Sequence, residues 1–181
     1  MPANDLPDPV TIGRRLRGSL RTLRVQRCRR LGLLARSDAP AYRFRRASEH
    51  HPTCRCLFCG TLQIFRSNAM RDVMGLPTRR NLRWSGESFI SAYSRGDFLD
   101  AHCDAAKGSV AFAWSATPRW RREFGGNLHL FRDDRLTVER IVVPEFDRLV
   151  CLDIDTVQQP HAVSRVETTH RRLSVTGWYS A

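Results

Sequence analysis

His102-Cys103-Asp104 sets an imidazole and a carboxylate two residues apart. On a β-strand successive side chains alternate faces, so positions i and i+2 point the same way. One nitrogen and one oxygen ligand on a common face suit a divalent metal such as Fe(II). Cys103 between them faces the other way and reads as a packing residue. Downstream stands Pro160-His161-Ala162-Val163, and then the run Arg171 to Tyr179. His161 lies 57 residues beyond Asp104, far enough for several strands to intervene. Two histidines and one aspartate make a facial triad, which occupies one side of an octahedral iron and leaves the other side open. Arg172 opens an alternating polar-apolar run. An arginine on a strand beside the open side can grip a carboxylate through two parallel hydrogen bonds. Iron, open coordination positions and a carboxylate clamp describe a 2-oxoglutarate site.

The motifs fall in a telling order: Tyr93-x-x-Gly96-Asp97-Phe98-x-x-x-His102-x-Asp104, then Trp120 to Leu130 with Gly125-Gly126, then His161-Ala162-Val163, then Arg172-x-Ser174-x-Thr176-Gly177-Trp178. Over roughly residues 60 to 181 the chain resembles the prolyl 4-hydroxylase-like branch of the Fe(II)/2-oxoglutarate dioxygenases. The resemblance implies that His102, Asp104 and His161 are the metal ligands and the catalytic centre. It implies Fe(II) as metal, 2-oxoglutarate and O2 as cosubstrates, and ascorbate as a candidate reductant. The far carboxylate of 2-oxoglutarate would pair with Arg172, helped by Ser174 or Thr176, with the Tyr93 hydroxyl within reach. The implied reaction is hydroxylation of an aliphatic C–H with release of succinate and CO2. Its substrate would be a prolyl or other amino-acid side chain, free or in a peptide or protein. The run Phe112-Ala113-Trp114-Ser115-Ala116-Thr117-Pro118 departs from the more aliphatic strand expected there, which bears on pocket shape and so on substrate.

Strand alternation also chooses between two neighbouring arginines. One face of the last run carries Arg172, Ser174, Thr176 and Trp178; the other carries Arg171, Leu173, Val175, Gly177 and Tyr179. A carboxylate pocket needs a fixed cation beside small hydroxyl donors, which only the first face supplies.

The elements that must position these residues are mostly short strands. Strand-like runs cover 88–93, 109–114, 127–131, 136–143, 149–154, 162–166 and 173–179, separated by turn signals such as Gly125-Gly126 and Asp133-Asp134. Before them, Leu62-Gln63-Ile64-Phe65 reads as strand-like, and a short helix is expected from about Asn68 to Met74 with Gly75 as its stop. The expected fold is mainly β (α+β): a double-stranded β-helix, jelly-roll and cupin-like, with flanking N-terminal helices. The mouth of such a barrel can hold a metal and a small ligand. Trp114, Trp120 and Trp178 are expected in the core or pocket wall, His129 on a strand as a pocket liner or satisfied polar residue, and His170 at the surface.

The chain of 181 residues suits one such domain, at 53–181, preceded by a basic extension, 1–52. Apolar residues at helical spacing between Thr11 and Arg36 fit a helix flanking the core, a basic partner-binding arm, a transit-type segment, or sequence upstream of the true start. Residues 1–47 hold nine of the twelve net positive charges. Of 30 basic residues only Lys107 is lysine, a skew that fits base composition better than phosphate binding. A nucleic-acid partner is therefore admitted but not favoured, and a nucleic-acid demethylase of the same superfamily is the alternative enzyme. His50, His51, Cys54, Cys56 and Cys59 fall within ten residues, either as a zinc site or as thiols in a turn. With the basic arm they give a non-enzymatic alternative, a zinc-binding nucleic-acid module. Neither a signal-peptide pattern nor a membrane-length apolar stretch is present, so a cytoplasmic protein with reduced thiols and no membrane partner is expected.

Overall fold

The fold is taken from a computed structural model that describes residues 42–48, 54, 56–104, 107–133, 137–155 and 159–181. Two helices, α1 (Leu57–Arg66) and α2 (Asn68–Thr78), precede most of the strands. The strands are β1 (Tyr42–Arg43), β2 (Arg45–Ala47), β3 (Arg83–Tyr93), β4 (Phe98–His102), β5 (Val110–Ser115), β6 (Leu128–Phe131), β7 (Val138–Val142), β8 (Leu149–Asp153), β9 (His161–Val163) and β10 (Arg172–Ser180). They form two antiparallel five-stranded sheets, ordered β1-β4-β9-β6-β7 and β2-β3-β10-β5-β8. This is the double-sheet jelly roll with N-terminal helices that the sequence predicts.

The first sheet packs around Tyr93, Trp120, Leu128, Val163 and Val166, and a second cluster joins Phe89, Ala111, Ile154 and Trp178. The longest partners, β3 and β10, run side by side from Arg172 opposite Tyr93 to Ser180 opposite Arg83, with an irregularity between Gly177 and Tyr179. Gly177 is needed there for closeness. A Cβ on it would stand 2.8 Å from the Phe112 ring, inside the contact limit. Helix α1 lies against this sheet: Phe65 stacks on Phe112 with centroids 4.9 Å apart, and the Tyr179 hydroxyl donates to the Phe65 carbonyl.

Three expectations are corrected. Leu62–Phe65 is not a strand; it is the C-terminal half of α1. The apolar residues that bury there are Cys59, Leu62 and Phe65, three apart, with Thr61 beside them, whereas Gln63 is exposed. A four-residue apolar run cannot separate this period from that of a strand. Helix α2 does not stop at Gly75. It runs to Thr78 and ends on Arg79 in the left-handed conformation, φ 54°. Gly75 serves a close approach, since a Cβ would meet the Arg80 carbonyl oxygen at 2.6 Å.

The third correction concerns residues 1–52. Within this stretch β1 pairs with β4 and β2 with β3, so residues 42–47 are part of both sheets. Burial alternates along Tyr42-Arg43-Phe44-Arg45-Arg46, the period of a strand, but the arginines make the segment look like a charged tail. Phe44, between the two strands, stacks on Tyr93 with centroids 4.6 Å apart. The proposed helix between Thr11 and Arg36 lies outside the described residues, as do His50 and His51. Among the described residues no helix is long and apolar enough to cross a membrane.

Candidate active site

Strand β4 pairs with β9 so that His102 stands directly opposite His161, and the two rings lie 4.3 Å apart. The strand ends at His102, so Asp104 sits just past it and not on it as the two-residue alternation supposes. The side chains still converge. Nε2 of His102 is 3.6 Å from Oδ1 of Asp104, and Nε2 of His161 is 3.6 Å from Oδ2. Asp104 is 5% exposed, and its Oδ1 makes no hydrogen bond within the protein.

Each imidazole is oriented from behind. His102 Nδ1–H donates to the Asp100 carbonyl at 2.9 Å, and His161 Nδ1–H donates to the Gln159 carbonyl at 3.0 Å. A carbonyl only accepts, so both rings carry their proton on Nδ1 and turn the Nε2 lone pair inward when neutral. That tautomer is the one a metal ligand needs. On the carboxylate side, Trp178 Nε1–H donates to Asp104 Oδ2 at 3.1 Å. Two inward nitrogens and a buried carboxylate with an unbonded oxygen fit a divalent cation of the Fe(II) class.

The charges follow from these neighbours. For Asp104 burial favours the neutral acid, but His102, His161, Lys107 and the Trp178 N–H outweigh it and hold the carboxyl down at about 2. Burial pushes His161 below its ordinary value, against its bond to Gln159. For His102 burial acts in the same sense, yet Asp104 and the Asp100 carbonyl prevail and raise it.

A cavity of about 280 Å³ opens on this cluster, lined from both sheets. Arg172, Ser174, Thr176 and Trp178 all contribute to its wall from β10, whereas Arg171 is exposed. The alternation read from the sequence thus holds along this strand. Arg172 is 4% exposed, its guanidinium lies 4.9 Å from the Tyr93 ring centre, and its Nε has no hydrogen-bond partner. Among the described residues no carboxylate is paired with it. An uncompensated buried cation costs several kcal/mol, so this geometry suits an anionic guest. Gly126, at φ 63°, makes room for it, since a Cβ there would come within 3.1 Å of Arg172 Cδ. Tyr93 also lines the cavity, and burial pushes its phenol up to about 12, so it enters as a neutral donor. Ser174 has its hydroxyl 2.7 Å from that of Ser91, which leaves Thr176 as the less occupied of the two hydroxyls expected beside Arg172.

Other residues fall into place more quietly. Trp114 and Trp120 are buried and donate to Asp147 and the Gly125 carbonyl. His129 lies on β6 away from the cavity wall, and His170 is exposed against Phe124. Sequence reasoning missed Lys107, whose ammonium is 3.6 Å from Asp104 Oδ1 and 4.3 Å from the Trp178 ring centre. Its being the single lysine in an arginine-rich chain was the available signal. It also missed Tyr42, Phe44 and Arg46, which wall the cavity from the N-terminal strands.

Comparisons with known proteins agree with this geometry. The family model of the 2OG-Fe(II) oxygenase superfamily matches residues 88–180, just over half of the chain. Prolyl 3-hydroxylase OGFOD1 of Mus musculus is 36% identical over 95 residues, covering 48% of this chain and 17% of that protein. The chain thus spans about a sixth of the length of that relative. A prolyl-4-hydroxylase from Pseudomonas putida has a similar structure, with TM-score 0.61 and 21% identity over 80% of this chain and 76% of that one. A prolyl hydroxylase from Trichoplax adhaerens, solved with a peptide fragment of the hypoxia inducible factor oxygen degradation domain, gives TM-score 0.59 and 22% identity over 82% and 69%.

Proposed function

This chain belongs to the 2OG-Fe(II) oxygenase superfamily; we propose that it is a 2-oxoglutarate-dependent dioxygenase that hydroxylates a prolyl or other amino-acid residue in a peptide or protein, using His102, Asp104 and His161 as its iron ligands. The observation that carries the reading is the meeting of three groups in one cavity: two imidazoles presenting Nε2, a buried aspartate, and a buried arginine without a carboxylate partner among the described residues. The relatives with prolyl hydroxylase activity in their names support an amino-acid substrate.

When bound, Fe(II) and 2-oxoglutarate would supply activation of O2, one oxygen atom going into succinate as the cosubstrate loses CO2 and the other into an aliphatic C–H. The protein supplies orientation and exclusion of water. Asp100 and Gln159 fix the imidazoles through their carbonyls, and Trp178 fixes the aspartate. Arg172 receives the far carboxylate of 2-oxoglutarate, with the Tyr93 hydroxyl and Thr176 beside it. Phe44, Phe89, Leu99 and Val163 keep the cavity wall apolar, which strengthens each charged contact inside it. Ascorbate is the proposed reductant for iron oxidised without substrate turnover.

Anaerobic addition of Fe(II) and then 2-oxoglutarate tests the assignment, with their charge-transfer absorption as readout. Exposure to O2 with proline-containing peptides should then give succinate and a peptide heavier by one oxygen atom. Absorption without any peptide product, but with oxidised methylated oligonucleotide, would favour the demethylase instead.

A further inference from the structure

We propose that Cys54, Cys56 and Cys59 form a second metal site, a trithiolate that binds one cation of the Zn(II) class. Their Sγ atoms all lie within 4.8 Å of one another, and none of the three lines the cavity. A tetrahedral Zn(II) centre with Zn–S bonds of about 2.3 Å has sulfur–sulfur edges of about 3.8 Å, so the thiols need to close by about 1 Å at most.

The local fold explains the convergence. Cys56 is the N-cap of α1, with extended backbone at φ −64° and ψ 156°, and Cys59 is the third residue of the helix. Side chains at the N-cap and at this position face each other, the relation that a capping box uses. Cys54 precedes the turn and completes the triangle. The first turn of α1 carries no acidic residue, and the positive end of a helix suits an anionic ligand set. Burial is graded: Cys59 is 1% exposed, whereas Cys54 and Cys56 are half-buried. The site is thus anchored in the core on one side and open to metal and a water ligand on the other.

Donor chemistry keeps the two sites apart. Imidazole and carboxylate accept Fe(II), while three thiolates select Zn(II) and other soft ions. Binding releases thiol protons and ties the chain ahead of α1 to the buried start of that helix. Cys54 follows the end of β2 by seven residues, so the same clip would restrain the two strands that wall the cavity.

Cd(II), whose thiolate complexes absorb in the near ultraviolet, serves as the probe on the reduced full-length chain. The expected result is one equivalent bound with that absorption, unchanged in Asp104→Ala, and a rise in melting temperature on loading, as any ligand of the folded state gives. Cys54→Ser and Cys56→Ser replace half-buried thiols and should each weaken binding by more than about tenfold, since even residues behind a ligand cost 10–100-fold. The Fe(II)/2-oxoglutarate absorption of both variants should match that of the parent. Absence of thiolate absorption in the parent, its persistence in the Cys54→Ser/Cys56→Ser double variant, or a disulfide in place of metal uptake would each overturn the proposal. Because the iron absorption is read separately, its failure leaves this site standing, and the reverse also holds.

Discussion

Trp178 on β10 donates its indole N–H to Asp104 Oδ2 over 3.1 Å, linking the strand that bears Arg172 to the carboxylate between the two histidines. Both side chains are buried. The bond fixes one carboxylate oxygen and leaves Oδ1 for a cation. Trp178→Phe keeps much of the ring contact with Phe89 but removes the donor. Fe(II) affinity should fall about 10–100-fold, the usual effect of losing a partner behind a ligand. Anaerobic Fe(II) titration of the two proteins checks this, and an unchanged affinity would show that the indole only fills space.

Arg172 and Arg171 should separate cleanly. Arg172 is 4% exposed on the cavity wall, and Arg171 is exposed outside it. Breaking a buried charge pair costs roughly 3–5 kcal/mol, and each 1.4 kcal/mol is about tenfold in affinity. Arg172→Ala is therefore expected to weaken 2-oxoglutarate binding by about a hundredfold or more. Arg171→Ala should cost less than about 1 kcal/mol. Equal losses in the two variants, measured by charge-transfer titration, would remove the carboxylate from Arg172.

Truncation tests the two strands that the arginine-rich segment conceals. A chain beginning at Thr53 lacks β1 and β2, and with them the Phe44 ring stacked on Tyr93 and the Arg46 guanidinium over Phe89. It should unfold at lower urea than a chain beginning at Ala41, or fail to fold. Phe44 is partly buried, so deleting its ring alone should remove less than the roughly 3–5 kcal/mol of a fully buried aromatic. Identical urea midpoints for the two chains would make these strands dispensable.

Alkaline stability should report on Tyr93. Burial pushes its phenol from 10 up to about 12, against the pull of Arg172 and Arg46. The folded value lies above the unfolded one, so the fold favours the neutral phenol. That contribution is complete below pH 10 and is lost as pH rises through 12. A shift of this size corresponds to about 2–3 kcal/mol. Tyr93→Phe should therefore lose less stability than the parent across this window, as urea unfolding at successive pH values would show. Some slope will remain, because burial also pushes the Tyr179 phenol up.

What could be read without coordinates was short-range or carried by ordered motifs. The alternation from Arg172 to Trp178 needs only the pleat of one strand and holds; His102 and Asp104 still converge because they are two residues apart, although Asp104 lies past the end of β4. Turn residues and strand periods gave the jelly roll for the same reason. The errors arose where a short apolar run fits two periods, as at Leu62–Phe65, or where side-chain charge masks a strand, as at 42–47.

The sequence by itself determined which groups are present and, along β10, which of them share a face: two histidines, an aspartate, an arginine and a strand-rich fold. Only the tertiary structure decided what surrounds them. That His161 stands opposite His102 depends on β9 pairing with β4 across a long gap in sequence. That an indole holds Asp104, that the single lysine lies beside it, and that three thiols meet at the start of α1 depend likewise on packing. The physical reason is that periodicity fixes the direction of a side chain within its own element, whereas its partners come from elements whose approach is set by burial of the whole core.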